Sequence, residues 1–430
     1  MSTPPARAAV QATVEAVWRL EAARIVAALA RLVRDVGLAE DLAQDALVAA
    51  LSEWPTKGMP ANPAGWLMAT ARHRAIDRLR RNDRLAAKVA EIGRDVEGEQ
   101  RTYGQADFDE VLDAADVQDD VLRLIFVACH PVLPTDSRVA LTLRVLGGLT
   151  TDEIARAFVV AEPTVAQRIV RAKRILADRK VPFEIPAPAE RAARLSSVLG
   201  VVYLIFNEGY TATAGEHWLR PELTYEALRL GRVLAELAPQ EPEVHGLVAL
   251  MEIQSSRNAA RVGPGGEPVP LLEQDRGRWD QLLIRRGYAA LLRAERLGRP
   301  TGPYVRQAAI AACHARARRP QDTDWPAIAA LYAALHRVTP TPVVELNRAV
   351  AVAMADGPHR GLAIVDAIAE HPMLRDYHLL PTVRGDLLAR LGRLAEARAE
   401  FVRAAALTRN RPERDTLLRR AAAAGQPADG

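Results

Sequence analysis

The sequence predicts an all-α protein of several domains, and three observations lead to this fold class. Apolar residues recur every three or four positions along most of the chain, which is the helical period. Aromatic residues make up only 5% of the chain, so its cores must be built mainly from Ala, Leu and Val, which favours packed helices over sheets. At 430 residues the chain is too long for one helical domain, and we expect two to four.

Charge and cysteine content narrow the class of protein. Lys and Arg outnumber Asp and Glu by only 57 to 53, so the position of the charges is more informative than their sum. Two cysteines give no disulfide framework and fit a reducing cytoplasm. Each is followed by histidine, as Cys129-His130 and Cys313-His314, but adjacent helical residues diverge by about 100°, so neither pair chelates a metal alone. We interpret them as buried thiols and expect no metal and no cofactor.

The N-terminus lacks the apolar core of a signal peptide. No apolar run approaches the roughly 20 residues that span a bilayer. We therefore expect a cytoplasmic protein that does not enter the membrane.

The first domain is predicted over residues 13–91. Its first helix runs from Thr13 to about Arg34, and Gly37 separates it from a second helix over 38–54. The second helix carries an acidic and polar outer face, formed by Glu40, Asp41, Gln44 and Asp45. Such a face repels phosphate and suits a basic protein surface, with a merely solvated surface as the alternative.

The third helix, predicted over 65–84, is rich in arginine. The window from Arg72 to Arg84 holds six arginines against Asp77 and Asp83. This cluster suits a nucleic-acid strand held by its phosphates, with Trp54 and Trp66 either stacking on bases or, as we favour for Trp66, lying in the core. The candidate contacts are Asn62 in the preceding loop and, on the helix, Arg72, His73, Arg74, Arg78, Arg80 and Arg81.

An acidic stretch with fading apolar periodicity, residues 92–119, is predicted to be a linker. It is followed by a helical module over 120–181 that ends in a helix-turn-helix pattern. Gly147-Gly148 closes the preceding helix, because glycine adopts the left-handed conformation at low cost. Thr150 and Glu153 have the spacing of a capping box, and Pro163 stands where a helix tolerates it, in the first turn.

The second helix of this pattern has two different faces. Val165, Ile169, Ala172 and Leu176 recur at helical spacing and should face the domain core. The other face carries short hydrogen-bonding side chains first and arginines after, namely Thr164, Gln167, Arg168, Arg171 and Arg174. This order suits a recognition helix that reads base edges near its N-terminus and holds phosphates with its cations. The alternative is an amphipathic helix with a solvated basic face.

The remainder, residues 190–426, is predicted to be helical throughout. Two segments near its end each consist of a helix, a glycine-containing turn and an Ala-rich helix, with Gly357 and Gly392 standing 35 residues apart. The tetratricopeptide period is about 34 residues, so the pattern predicts a helical repeat.

Two polar segments of this part stand out. One contains Asn207, Glu208 and Tyr210, and the other contains Asp275 and Arg276. They form either a polar site or, as we favour, a buried structural joint. A carboxylate pair of Glu208 and Asp275 would make this part an enzyme. We find no nucleophile beside a base, no phosphate loop and no metal-ligand spacing there, and we expect no catalytic activity.

Several of these blocks together resemble a known family. LAEDLAQDALVAAL followed by GWLMATARHRAIDRLRR, an acidic linker, and RVALTLRVLGGLTTDEIARAFVVAEPTVAQRIVRAKRIL resemble regions two and four of an extracytoplasmic-function sigma factor. IFNEGY with the downstream LLEQDRGRWD is similar to the C-terminal extension of one subgroup, whose extension carries tetratricopeptide-like repeats. His73 stands where the family usually has asparagine, so the resemblance does not extend to that side chain's role in promoter melting.

The resemblance implies a transcription initiation factor without chemistry of its own. Residues 13–91 would dock on the beta-prime subunit of core RNA polymerase through the acidic helix and capture the melted proximal promoter element. Residues 120–181 would read the upstream element as duplex DNA. The extension would modulate activity, with a regulatory protein as its expected partner. The rival interpretation is a helix-turn-helix regulator whose C-terminal domain senses a ligand or a protein.

Overall fold

The computed structural model describes residues 4–92, 114–298 and 301–425 and confirms the all-α fold. The helices of the first part of the chain are α1 (Pro4–Val33), α2 (Val36–Lys57), α3 (Pro63–Ile92), α4 (Ala114–Ala128), α5 (Thr135–Val145), α6 (Thr151–Phe158), α7 (Glu162–Asp178) and α8 (Pro188–Tyr210). Those of the remainder are α9 (Pro221–Leu237), α10 (Pro242–Ser255), α11 (Gln281–Arg296), α12 (Pro303–Arg316), α13 (Trp325–Val338), α14 (Pro342–Asp356), α15 (Pro358–Ile368), α16 (Leu379–Arg390), α17 (Leu394–Leu407) and α18 (Arg411–Ala424).

The chain forms two compact units, and the division between them falls inside α8, between Val201 and Val202. The first unit therefore contains both predicted sigma regions, apart from Ala157–Val159, and the first half of α8. The second contains the rest of the extension. In the described part of the chain, no helix is both long enough and apolar enough to cross a bilayer.

Three helix boundaries differ most from the predictions. Helix α1 begins at Pro4 rather than Thr13, because the residues after the two N-terminal prolines are mainly good helix formers and proline is tolerated in a first turn. Helix α3 continues past Arg84 to Ile92, since the first glycine or proline that follows is Gly93. Helix α4 begins at Ala114, so only residues 93–113 of the predicted linker remain, and they lie outside the described residues.

In the first unit α1 is the central helix. It packs on α2, α3 and α4. Its buried face includes Trp18, Ile25 and Leu29, each at most 4% exposed. Helix α5 packs on α7.

The turn into α6 has the predicted chemistry. The Thr150 amide donates to Glu153 Oε2 at 2.8 Å, and the Glu153 amide donates to Thr150 Oγ1 at 3.1 Å. This reciprocal pair is the capping box that the sequence predicts. Gly148 has φ +66°, the left-handed conformation expected where a helix is closed by glycine.

In the second unit helices that are neighbours in sequence pack side by side, among them α14 with α15 and α16 with α17. Gly357 and Gly392 occupy the turns of these two pairs with φ +100° and +75°. Both angles favour glycine, which explains its recurrence at this spacing. The two pairs thus repeat a helix–glycine–helix unit, while their tetratricopeptide character remains a prediction.

A two-stranded parallel contact joins the start and the end of the second unit. Strand β1 (Ala214–Gly215) pairs with β2 (Arg409–Asn410). The Asn410 side-chain amide donates to the carbonyl oxygens of Ala212 at 3.0 Å and His217 at 2.9 Å. Asn410 is 1% exposed, so these bonds are buried and satisfy both protons of its amide. The sequence, read as helical throughout, gave no sign of this pairing.

Candidate nucleic-acid and polymerase interfaces

Helix α7 has the two faces that the sequence predicts. Val165, Ile169, Ala172 and Leu176 are its buried residues, and each is at most 6% exposed. Gln167, Arg171 and Arg174 are exposed, while Thr164 and Arg168 are half-buried. The polar side chains therefore share a surface opposite the apolar stripe, as a recognition helix requires.

The arginines of this face differ in what they bind. The Arg168 guanidinium pairs with the Asp136 carboxylate of α5 at 2.8 Å. Arg174 pairs with Asp178, one turn later on the same helix, at 3.5 Å. Arg171 has no ion-pair partner among the described residues. Arg171 is thus available to a phosphate, whereas Arg168 must first leave Asp136, a partner that the sequence analysis did not identify.

The predicted proximal-element residues lie along the outer side of α3 and the loop before it. Asn62 is exposed, and its side-chain oxygen accepts from the Gly65 amide at 2.9 Å, which caps the start of α3. The exposed members on the helix are His73, Arg78, Arg80 and Arg81, and the half-buried ones are Arg72 and Arg74. Leu67, Ala71 and Ala75 are fully buried on the opposite side. This geometry leaves the basic side of α3 open to a nucleic-acid backbone.

The two tryptophans near this surface belong to the packing of the first unit. Trp54 is 2% exposed and meets Trp66 edge to face, with ring centroids 5.4 Å apart. Trp66 is half-buried. A base can therefore not stack on Trp54 in this arrangement, and the core interpretation that we favoured for Trp66 fits its contact.

Glu40 does not lie on an outer face, and this prediction is wrong. It is 3% exposed, and its carboxylate accepts from Arg144 Nε of α5 at 2.7 Å. It also pairs with the Lys173 ammonium group of α7, at 2.5 Å. Two cations from residues 120–181 thus neutralise a carboxylate of residues 13–91. Their charges offset the energetic cost of burying Glu40. The helical period could not show this contact, because it joins residues more than 100 positions apart.

The other acidic-face residues remain accessible. Asp41 is exposed and pairs with Lys173 Nζ at 2.8 Å. Asp45 is exposed and lies 3.7 Å from the Arg74 guanidinium of α3. Gln44 is half-buried. Burial opposes the charge on Lys173, but the carboxylates of Glu40 and Asp41 raise the pKa of Lys173 above its ordinary value.

A cleft of about 500 Å³ separates the acidic side of α2 from the basic side of α3. Asp41, Asp45, Arg74 and Arg78 line it. Opposite charges therefore face each other across the surface that the sequence analysis assigned to polymerase and DNA.

The first polar segment of the extension is a buried joint. Glu208 is 8% exposed and pairs with Arg220 at 3.4 Å, and its carboxylate accepts from the Thr213 hydroxyl at 2.9 Å. Burial raises the pKa of Glu208 despite these partners. Gly209 allows α8 to approach the start of α9, since a Cβ there would stand 2.4 Å from the Thr224 amide nitrogen. Asn207 is half-buried on the same turn.

The second polar segment has separate partners. Arg276 donates to the carbonyl oxygens of His314 at 2.8 Å and Ala317 at 2.6 Å, and to the Thr323 hydroxyl at 3.1 Å. Asp275 is exposed and accepts from the Gly277 amide at 2.9 Å. The segment therefore does not supply an ion-pair partner to Glu208. The two segments are linked instead through Arg257, which donates to the Tyr210 hydroxyl and lies 5.8 Å from the Trp279 ring centroid.

A carboxylate pair of Glu208 and Asp275 is contradicted by these positions, since one side chain is buried against an arginine and the other caps an exposed turn. Over residues 4–92, 114–298 and 301–425, no group of three or more His, Cys, Asp or Glu side chains is placed to hold a metal ion.

Three known families match successive parts of the chain. Sigma-70 region 2 matches residues 17–85, and sigma-70 region 4 matches residues 123–176. A family of unknown function, DUF6596, matches residues 194–295, which include both polar segments of the extension. The first two matches coincide with α1–α3 and α4–α7, the helices that carry the two candidate interfaces.

One relative matches this chain over nearly its whole length. An uncharacterized protein of Rhizobium meliloti (strain 1021) is 45% identical over 387 residues, which is 90% of each chain. No solved structure matches significantly. Sigma-70 regions 2 and 4 stand in order on one chain, with the exposed faces that DNA binding needs. The chain therefore belongs to the sigma-70 family, whose members are DNA-binding factors of transcription initiation.

Proposed function

We propose that this chain is an extracytoplasmic-function sigma factor that acts in the cytoplasm. It directs core RNA polymerase to specific promoters, and its extension modulates that activity. The observation that carries the proposal is the exposed face of α7, where Gln167 and Arg171 project opposite a fully buried apolar stripe. A sigma factor needs such a duplex-reading helix together with a polymerase-binding region, and both belong to the first unit.

In this proposal the two regions divide the promoter between them. Helix α7 reads the upstream element in duplex form, with Thr164, Gln167 and Arg168 near base edges and Arg171 and Arg174 on phosphates. The basic side of α3 captures the melted proximal element by its phosphates. The accessible acids of α2 dock on the beta-prime subunit. The extension acts through a regulatory protein and supplies no chemistry.

The decisive experiment is run-off transcription from fragmented genomic DNA with core polymerase and the full chain. A sigma factor yields discrete transcripts with core enzyme alone. The rival interpretation, a helix-turn-helix regulator, yields none unless another sigma factor is added. The extension is tested with a chain that ends at Val201. Ending it before Pro188 would remove contacts that belong to the first unit, such as the Ser197 hydroxyl donating to the Cys129 carbonyl at 2.7 Å.

The reading face of α7 is tested by Arg171→Ala. If Arg171 binds phosphate, affinity falls evenly across promoter sequences and the slope of log K against log salt shrinks by about 0.9. If it reads a guanine edge, roughly 1–3 kcal/mol and some base selectivity are lost. Arg293→Ala is the matched control, because Arg293 is an exposed arginine of the extension. Identical binding by both variants would mean that DNA does not contact this face.

A further inference from the structure

The second unit carries an open cavity of about 300 Å³ that none of the interfaces above uses. It lies where the start of the extension meets its last helices. Tyr210 and Trp218 line it from the first side, Arg257, Arg261 and Gln274 from the middle, and Arg420 of α18 from the last. A volume of this size holds a small organic molecule rather than a peptide.

Two arginines that line the cavity, Arg257 and Arg261, have no carboxylate partner. Arg261 is 6% exposed; it donates to the Tyr210 carbonyl and, at 2.9 Å, to the Thr211 hydroxyl. Arg257 donates to the Tyr210 hydroxyl at 2.5 Å. Neither guanidinium forms an ion pair in the part of the chain that the structure describes. A buried charge without a counter-charge is costly, and Arg261 also has a second cation near it, the half-buried Arg257, so the pair calls for an explanation.

Aromatic rings account for part of their stabilisation. The Arg261 guanidinium lies 3.4 Å from the Tyr210 ring centroid and 5.7 Å from that of Trp218. Arg257 lies 5.7 Å from the Tyr210 ring and 5.8 Å from the Trp279 ring. These contacts hold the cations in place but do not neutralise them. Burial and the neighbouring Arg257 cation lower the pKa of Arg261 to about 10, which leaves it charged at neutral pH.

The acid among the lining residues, Glu413, is already engaged. The Glu413 carboxylate binds His378 Nε2 at 3.0 Å and the Thr408 hydroxyl at 2.6 Å. Arg420 pairs with Asp386. The remaining positive charge therefore belongs to Arg257 and Arg261.

Two polar atoms on the cavity residues are unpaired. Gln274 is 6% exposed, and while its Nε2 donates to the Val269 carbonyl at 3.0 Å, its Oε1 has no partner. Arg257 Nε is also buried without an acceptor. Buried polar atoms without partners are unusual in a folded protein, and a bound group that satisfies both atoms explains them.

We propose that this cavity binds a small organic oxyanion, a carboxylate or phosphate on a compact body that also carries a hydrogen-bond donor. Its oxygens accept from the guanidiniums of Arg257 and Arg261, which suit planar or phosphate oxyanions. Its donor reaches Gln274 Oε1. The apolar walls around Tyr210 and Trp218 cover its body. This site goes beyond the proposed promoter-binding function and does not depend on it.

The test measures binding of three probes to the full chain by calorimetry and thermal unfolding: 4-hydroxybenzoate, 4-hydroxyphenyl phosphate and inorganic phosphate. The neutral 4-hydroxybenzyl alcohol and sodium chloride at equal ionic strength are the controls. We expect saturable binding of at least one organic anion, with the Tm raised by roughly 5–10 °C at a hundredfold excess over its Kd. The better binder of the first two identifies a carboxylate or a phosphate ligand.

Gln274→Glu is the most informative variant, because it places on the cavity wall a carboxylate that can take the place of the bound anion. It should raise the Tm of the ligand-free chain and abolish the response to the anions. Arg278→Met, at an exposed arginine close in sequence, should leave the Tm of the ligand-free chain and its response to the anions unchanged. The proposal is overturned if no organic anion binds saturably, if the neutral alcohol binds as well, or if Gln274→Glu melts below the parent and still responds.

Discussion

Lys173→Met removes the ammonium group that joins α7 to two carboxylates of α2. Its nitrogen pairs with Glu40 and lies 2.8 Å from Asp41. Methionine keeps most of the side-chain length and the helix propensity, so the charge is the main loss. Glu40 retains Arg144, but Asp41 loses its ion-pair partner.

The expected loss in the free energy of unfolding follows from how deeply each side chain of this cluster is buried. The Lys173 side chain is 18% exposed and that of Glu40 is 5% exposed, whereas that of Asp41 is 68% exposed. Exposed pairs contribute about 0–1 kcal/mol, and breaking a fully buried pair costs about 3–5 kcal/mol. Since this cluster lies between these limits, we expect a loss of about 2 kcal/mol in the free energy of unfolding of the first unit.

The same change tests the proposed docking surface. In this structure α7 covers Glu40, so core polymerase can bind the whole acidic side of α2 only after α7 moves away. Weakening the contact by about 2 kcal/mol favours that separation roughly thirtyfold and should raise core affinity by up to this factor.

Urea denaturation and a fluorescence binding assay with core enzyme give the two readouts. Arg174→Met is the matched control, because the neighbouring Arg174 is exposed and pairs only along its own helix, with Asp178. Equal unfolding midpoints for the two variants would show that the Lys173 pairs contribute nothing. Lower stability without a gain in core affinity would refute the docking surface on α2.

Three further changes test other contacts. Asp136→Asn releases Arg168 from its ion pair and should strengthen upstream-element binding by about 0.5–1 kcal/mol, measured by electrophoretic shift; unchanged affinity would place Arg168 outside the contact. Glu208→Gln should cost roughly 3 kcal/mol by removing the buried carboxylate that faces the Arg220 guanidinium, whereas Glu236→Gln, at an exposed position, should melt like the parent; equal melting of both would contradict a structural joint. Burial and nearby arginines lower the pKa of His314 to about 4, so the unfolded chain binds more protons below pH 6.5 and stability falls as pH drops from 6.5 to 4. His314→Phe should remove up to about 3 kcal/mol of that dependence in denaturation curves at several pH values, and an unchanged pH profile would show that His314 is not its source.

Local chemistry was predictable from the sequence because it depends on residues close in the chain. The capping box of Thr150 and Glu153 spans three positions, and the glycines at 357 and 392 follow from the backbone angle of one turn. The buried stripe of α7 follows from the helical period alone. Helix ends were less certain, as at Pro4 and Ile92, because good helix formers continue where no residue stops them.

Only the tertiary structure decided which charges meet. The sequence placed Glu40 on an outward face by its period, but a period cannot identify a partner 104 or 133 residues away. It likewise grouped Glu208 with Arg276, although the fold gives each its own partners. The sequence by itself determined the helices, the order of the sigma regions and the exposed polar face of α7. The fold determined the burial of Glu40 and the cavity of uncompensated arginines, because burial and charge pairing depend on distances that sequence spacing does not measure.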